Sequence, residues 1–141
     1  MTTIMDKITE ILEFVKEFTG ADNVTEESDI ETEIGCYGDD FDELIEKYSK
    51  KFNVDVSSYL WYFHTGEEAS FNIGSIFSKP PNELVKRIPV TPKMLLEFSE
   101  KGKWDIKYPM HKIPKIRYDM IINQIIFIGI IIWGIYYWFF K

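Results

Sequence analysis

The C-terminal part of the chain is the feature that most restricts how it can fold. Residues 120–140 read MIINQIIFIGIIIWGIYYWFF and hold no charged side chain. As a helix, these 21 residues are about 31 Å long, close to the roughly 30 Å hydrocarbon thickness of a bilayer. Their apolar side chains cover every face of the helix, whereas a helix packed on a soluble domain has one apolar stripe. The pattern predicts one transmembrane helix; the alternative is a buried core helix or strand, which a small domain can hardly cover.

The two ends of this segment differ in charge and in aromatic content. Aromatic rings cluster at its far end, where they favour the headgroup region, and the lysine after them can extend toward water. Basic residues collect at its near end, so the positive-inside rule predicts that the preceding domain faces the cytoplasm. The predicted membrane-flanking residues are Lys112, Lys115, Arg117, Trp133, Tyr136, Tyr137, Trp138 and Lys141.

Charge divides the rest of the chain into an acidic domain and a basic neck. Residues 1–60 hold 16 Asp and Glu against 5 Lys and Arg, whereas residues 101–118 hold six basic residues and one acid. Pro109 and Pro114 interrupt helix formation in the neck, which favours an extended linker. The predicted divisions are an N-terminal domain at 1–106, a basic juxtamembrane linker at 107–119 and a membrane helix at 120–140.

Composition excludes several classes of partner. The net charge of -7 argues against nucleic acid, because phosphate binding needs clusters of basic residues. The single Cys36 cannot form an internal disulfide, and the two distant histidines do not provide the ligand spacing of a zinc site. We therefore expect no metal and no cofactor.

Apolar residues recur at helical spacing in three segments of the acidic domain and predict a mainly α-helical fold. The first segment ends at Gly20. The second begins at Asp39 or Asp40, whose carboxylate would cap the positive end of the helix. The third begins with Thr91 as N-cap and Pro92 as first residue. The predicted core-facing residues are Ile4, Ile8, Ile11, Leu12, Val15, Phe18, Phe41, Leu44, Ile45, Tyr48, Phe52, Met94, Leu95 and Phe98.

The connecting segments carry weaker signals. The long acidic loop after the first helix contains Val24, Ile30 and Ile34, which we expect to hold it on the core. The aromatic-rich residues 57–64 predict a short helix packed across the others. Glycine and proline interrupt residues 65–89, so the pattern assigns no long element there.

The order of these elements, with the stretch EIGCYGDDFDELI at residues 33–45, resembles the acyl carrier proteins. Their pattern Asp-Leu-Gly-x-Asp-Ser-Leu-x-x-x-Glu-Leu aligns without a gap, and the modified serine falls on Gly38. The resemblance implies a small acyl-carrier-like helical bundle. Glycine has no hydroxyl to form the phosphodiester with phosphopantetheine, so the chain cannot be loaded at this position.

Two further segments resemble a family of uncharacterised bacterial proteins called domain of unknown function 1493, described as acyl-carrier-like. They are YFHTGEE at residues 62–68 and VTPKMLL at residues 90–96, the latter running on to GKW at 102–104. The resemblance implies a fold but no activity. Together with the predicted membrane helix, it implies a single-pass protein of the bacterial inner membrane.

Other candidate sites have a structural interpretation beside a functional one. The acids at 39–43 lack the spacing of a calcium loop, so helix capping is favoured over cation binding. Cys36 is either a thiolate near a helix N-terminus or a small packed residue. His64, with Glu67 and Glu68, is either an acid–base group or a buried structural histidine. Without a nucleophile near these residues, we expect no enzymatic activity.

The acidic surface of the second helix is the candidate docking surface. It would attract a basic protein partner by electrostatic steering, and carrier proteins meet their enzymes through the same surface. The predicted function is a non-catalytic, membrane-tethered docking module. The alternative is an atypical acyl or lipid carrier component loaded at another residue, such as Cys36. The predicted docking residues are Asp39, Asp40, Asp42, Glu43 and Glu46.

Overall fold

The fold is mainly helical, as predicted. The computed structural model describes residues 3–68 and 71–141, so Met1, Thr2, Ala69 and Ser70 of the predicted domain lie outside the described residues. These ranges hold no β-strand, only an isolated bridge between Asp55 and Lys103. The α-helices are α1 (Ile4–Thr19), α2 (Asp39–Phe52), α3 (Pro92–Lys101) and α4 (Tyr118–Phe140). Single turns of 3₁₀ helix lie at Trp61–Phe63, Ile73–Ile76 and Pro81–Glu83.

Local signals end α1 at Gly20 and begin α3 at Thr91, where the sequence predicts them; the N-cap of α1, Thr3, was not predicted. The hydroxyl of Thr3 accepts a hydrogen bond from the Asp6 amide, and Gly20 ends α1 in the left-handed conformation. Thr91 caps α3 in the same way, and Pro92 is its first residue. The two helices pack against each other. The largest fully buried apolar side chains of the domain are Tyr48, Phe41, Phe63, Ile11, Ile30, Leu44, Ile45, Leu95, Val15 and Val90.

The start of α2 differs from the prediction. Neither Asp39 nor Asp40 is the N-cap; that position belongs to Gly38, which has no side chain to bond the first turn. Gly38 has a φ of 63°, a conformation that favours glycine, and this turn directs the chain from the acidic loop into the helix. The carboxylates of Asp39 and Asp40 lie in the first turn instead, where they still complement the helix dipole.

The aromatic segment forms less helix than predicted. Only Trp61–Phe63 of residues 57–64 is helical, as one 3₁₀ turn. Its rings contact the neck on one side and the core on the other: Phe63 packs on Tyr108, and Tyr59 packs on Trp104.

His64 is the polar centre of this aromatic cluster. It is fully buried, and both ring nitrogens are engaged. Because the Ile88 carbonyl can only accept, Nδ1 carries the proton and donates at 2.9 Å. Nε2 accepts from the hydroxyl of Tyr108 at 2.7 Å, and that hydroxyl accepts from the indole of Trp104. These bonds fasten the first part of the neck, which contains no helix, to the domain.

The last helix begins two residues earlier than predicted and includes one acid, Asp119. It is the one helix of the described residues that is long and apolar enough to cross a membrane, with a mean hydropathy of 1.9 over its most apolar window. No residue of that window is buried. A helix with this exposure is not the core helix of a soluble domain.

Burial of His64 predicts a loss of stability in acid. Desolvation lowers the pKa of the folded imidazole to about 4, whereas the unfolded chain binds the proton near pH 6.5. Because the folded pKa is depressed, His64 contributes its full stability above pH 6.5. That contribution falls by about 3 kcal/mol as the pH drops from 6.5 to 4. Urea unfolding at several pH values measures it.

NMR titration in a His111→Asn variant provides the direct control, because His64 is then the only imidazole in the chain. Its ring carbon resonances should stay those of the neutral Nδ1–H tautomer until the pH nears 4. Titration of the folded imidazole near pH 6.5 would contradict the prediction.

Candidate functional site

Gly38 occupies the turn before α2 in a conformation that a serine would not adopt readily. Its φ is 63° and its ψ is −129°, and its amide donates to the hydroxyl of Thr65 at 2.8 Å. A Cβ atom on this residue would lie 2.2 Å from Cγ of Glu68. A serine would therefore strain the backbone, at about 1–3 kcal/mol, and would also displace Glu68. The position lacks the hydroxyl, and its backbone conformation disfavours a serine.

The acids of α2 differ in how far their charge is already compensated. Glu43 pairs with Lys47 at 2.8 Å one turn later, and Glu46 pairs with Lys50 at 2.5 Å. Asp39 and Asp40 are exposed at the first turn, and neither forms a salt bridge within residues 3–68 and 71–141. The uncompensated negative charge is therefore concentrated at the start of the helix.

Asp42 has a structural role in addition to its charge. Its carboxylate is half-buried and accepts a hydrogen bond of 2.7 Å from the hydroxyl of Tyr59. Burial raises the pKa of this carboxyl, although the bond from Tyr59 opposes the shift. Replacing Asp42 would thus disturb the aromatic segment as well as the acidic surface.

An open cleft of about 350 Å³ connects the start of α2 with the base of α4. Four of its lining residues are acidic, and Met120 of α4 forms one edge. The cleft is lined by Asp39, Asp42, Trp61, Gly66, Glu67, Glu68 and Met120. The acidic surface of α2 thus extends to the base of the apolar helix.

Arg117 joins the domain to α4 through two carboxylates. Its guanidinium forms a pair of hydrogen bonds to Glu67, at 2.6 and 3.0 Å. The same group binds Asp119 through two further bonds, at 2.9 and 2.6 Å. The side chain of Asp119 is only 1% exposed. A carboxylate that its neighbours cover from solvent needs a charged, hydrogen-bonded partner, which Arg117 supplies.

Two asparagines extend this junction along the first turns of α4. The side-chain amide of Asn72 donates to Asp119 at 2.9 Å, and the side-chain amide of Asn123 donates to Oδ1 of Asn72 at 2.8 Å. The Gly74 amide in turn donates to Asn123 at 2.8 Å. Gly74 contacts the helix so closely that a Cβ atom there would lie 2.0 Å from the Asp119 carbonyl oxygen. Residues 72–74 therefore pack directly on α4.

The junction was not predicted from the sequence, although one signal for it exists. Asp119 and Asn123 are four residues apart and lie on the same face of a helix that is otherwise almost wholly apolar. Polar residues in such a helix usually face protein. Their partners in residues 65–89 have no comparable pattern.

The predicted membrane-flanking residues fall into two groups. Lys112 and Lys115 are exposed, whereas Arg117 is half-buried between Glu67 and Asp119, so its charge is compensated. The aromatic residues near the end of α4 are all exposed, and Lys141 donates to the hydroxyl of one of them at 2.5 Å. The exposed aromatic residues are Trp133, Tyr136, Tyr137 and Trp138.

The groups with possible catalytic chemistry are held in structural roles. Burial, with the nearby Asp40 carboxylate, raises the pKa of the Cys36 thiol to about 12, so the thiolate is not formed at neutral pH. His64 has both nitrogens bonded, and Glu67 binds Arg117 instead. Across the described ranges, no three His, Cys, Asp or Glu residues are grouped closely enough to hold a metal ion.

Sequence comparison assigns the domain to a family. The family described as Protein of unknown function (DUF1493) matches residues 1–107, so the chain belongs to this family and that prediction is confirmed. No curated protein and no solved structure matches the chain. The match ends before Arg117, so the junction combines Glu67, Asn72 and Gly74 of the family domain with residues that follow it.

The close contact at Gly74 predicts that Gly74→Ala loosens the junction. The added methyl group would meet backbone rather than a movable side chain, and overpacking of this kind costs about 1–3 kcal/mol. We expect the unfolding midpoint of the full chain in detergent micelles to fall by about 4 °C or more. Gly129→Ala is the matched control, because a Cβ there meets nothing within 4 Å. Equal midpoints for the two variants would contradict the packing described for Gly74.

Proposed function

We propose that this member of the DUF1493 family is a non-catalytic, acyl-carrier-like docking module, tethered to a membrane by α4 and directed at a basic protein partner. The observation that carries the proposal is the exposed apolar helix, which is fastened to an acidic domain through Arg117. A helix with no buried residue in its apolar window needs an apolar solvent, and a bilayer provides one.

The charges around α4 support an orientation with the domain on the cytoplasmic side. Lys107, Lys112, Lys115 and Arg117 precede the uncharged stretch of α4, and Lys141 follows it. Four cations against one favour a cytoplasmic domain by the positive-inside rule, which counts lysine and arginine. We propose the inner membrane of a bacterium as the location.

The start of α2 is the proposed contact surface for the partner. Asp39 and Asp40 carry the uncompensated charge, and the acidic cleft continues it toward the membrane through Glu68. The helix order supports an acyl-carrier-like relationship, in which this same surface is used for docking. Glu43 and Glu46 contribute less, since each has a lysine within 2.8 Å.

The alternative of a carrier loaded at Cys36 has no support in the geometry. The thiol is buried, and its raised pKa leaves little thiolate for acyl transfer at neutral pH. An intact mass above 16.7 kDa for the chain purified from membranes would favour the carrier alternative.

The membrane anchor predicts how the full chain fractionates. We expect it to stay in the membrane pellet after washing with high salt and with carbonate, because the apolar surface of α4 holds it there. The matched control is a double variant, Ile128→Lys/Ile131→Lys, which places two charges on exposed positions in the helix. That variant should be extracted. Recovery of the unaltered chain in the carbonate supernatant would contradict the anchor.

The docking surface predicts a salt-dependent loss of partner binding in Asp39→Asn/Asp40→Asn. Each replacement removes a helix-dipole contribution of about 0.3–1 kcal/mol, so the domain should remain folded. Recovery of the partner cross-linked in membranes should fall strongly at low salt. The difference from wild type should shrink as salt screens the charges.

Glu10→Gln/Glu13→Gln is the matched control, because it removes the same charge from exposed positions of α1. It should leave recovery unchanged. Equal recovery of the partner with the wild type, the Asp39→Asn/Asp40→Asn variant and the control would contradict a docking surface at the start of α2.

A further inference from the structure

Residues 71–77, here called the apolar loop, expose large hydrophobic side chains to an unusual extent. Phe71 is 84% exposed, Ile76 78% and Phe77 72%. Contiguous exposed hydrophobic residues of this size mark a surface that contacts protein or membrane. The loop is therefore not an ordinary solvated connection.

Several polar groups of the apolar loop are bonded within the loop or to α4. The Asn72 side chain accepts from the Ser75 amide and donates to Asp119, and the Ser75 hydroxyl donates to the Asn72 carbonyl. The amides of Gly74 and Phe77 are bonded as well. These bonds reduce the cost of placing the loop in an apolar solvent, in which unpaired backbone groups cost several kcal/mol each.

The apolar loop lies beside the first half of α4. Phe71 and Ile73 line an apolar groove of about 310 Å³ whose other wall is α4. The helix side of the groove extends from Asn123 to Ile130, about 8 to 18 Å along the helix from its first residue. In a helix that spans a bilayer, this stretch lies at the depth of the acyl chains of the nearer leaflet.

We infer that the apolar loop inserts into the nearer leaflet beside α4, and that the groove between them is occupied by a lipid acyl chain. The inference rests on the proposed membrane anchor and adds a second lipid-contacting element to it. A lipid chain is the expected occupant because the α4 wall of the groove is continuous with the exposed apolar surface that the proposed anchor presents to lipid. The domain then sits on the membrane through two elements instead of one.

Quenching by spin-labelled lipids tests the inference in the full chain. Single cysteines at Ile76, Ile131 and Glu10, in a Cys36→Ala background, are labelled with an environment-sensitive fluorophore. All three native side chains are exposed, so the label should not disturb packing. The protein is reconstituted into phosphatidylcholine–phosphatidylglycerol vesicles containing lipid with a nitroxide at a shallow or a deep chain position.

The probe at Ile76 should be quenched more strongly by the shallow nitroxide than by the deep one, the probe at Ile131 should be quenched more strongly by the deep one, and the probe at Glu10 should be quenched by neither. Quenching at Ile131 with none at Ile76 would overturn the inference but leave the anchor intact. A blue-shifted, unquenched probe at Ile76 would also overturn it, in favour of a protein partner or second copy covering the loop. No quenching at Ile131 would overturn the anchor and the inference together.

Discussion

The arrangement of the molecule depends on the ion pairs of Arg117. One guanidinium binds Glu67 of the domain and the buried Asp119 of α4, so the position of the helix is fixed by charge as well as by packing. Removing Arg117 would leave a carboxylate buried without its counter-charge, which is far more costly than losing an exposed ion pair. The neck is therefore a joint of fixed geometry, although its residues before Tyr118 form no helix.

Fixed geometry has consequences for the proposed docking surface. A domain on a flexible linker would present Asp39 and Asp40 in many directions, whereas the bonded neck holds α2 in one orientation relative to α4. With α4 in a membrane, as proposed, a partner confined to the same membrane would lose less orientational freedom on binding. Charge is also distributed unevenly along α2. Lysines one turn later compensate Glu43 and Glu46, so the attraction for a basic partner is concentrated at the start of the helix, beside the cleft.

The parts of the fold that local signals determine were predictable from the sequence. Gly20 and Thr91 end or begin their helices through contacts within a few residues. The apolar spacing of α1 and α2 identified most of their buried residues, although the predicted core residue Ile4 is 64% exposed and Phe14, which was not predicted, is buried. The start of α2 was misassigned because an aspartate resembles a cap in sequence, whereas the turn at Gly38 needs a positive φ. The family was recognisable from short motifs. All of them lie before the neck, so they did not predict its contacts with the domain.

The junction and the apolar loop were not predictable, because their bonds join residues that are distant in the chain. Asn72 and Asp119 are 47 residues apart. The spacing of Asp119 and Asn123 marks one polar face of α4, but no pattern around Asn72 identifies it as the partner. The Asn72 side chain and the Gly74 amide bond Asp119 and Asn123 of α4. Without these partners, both groups of the loop would need water. The domain binds the start of α4 because this helix, otherwise apolar, carries two polar side chains there, Asp119 and Asn123, that bond residues 72–74.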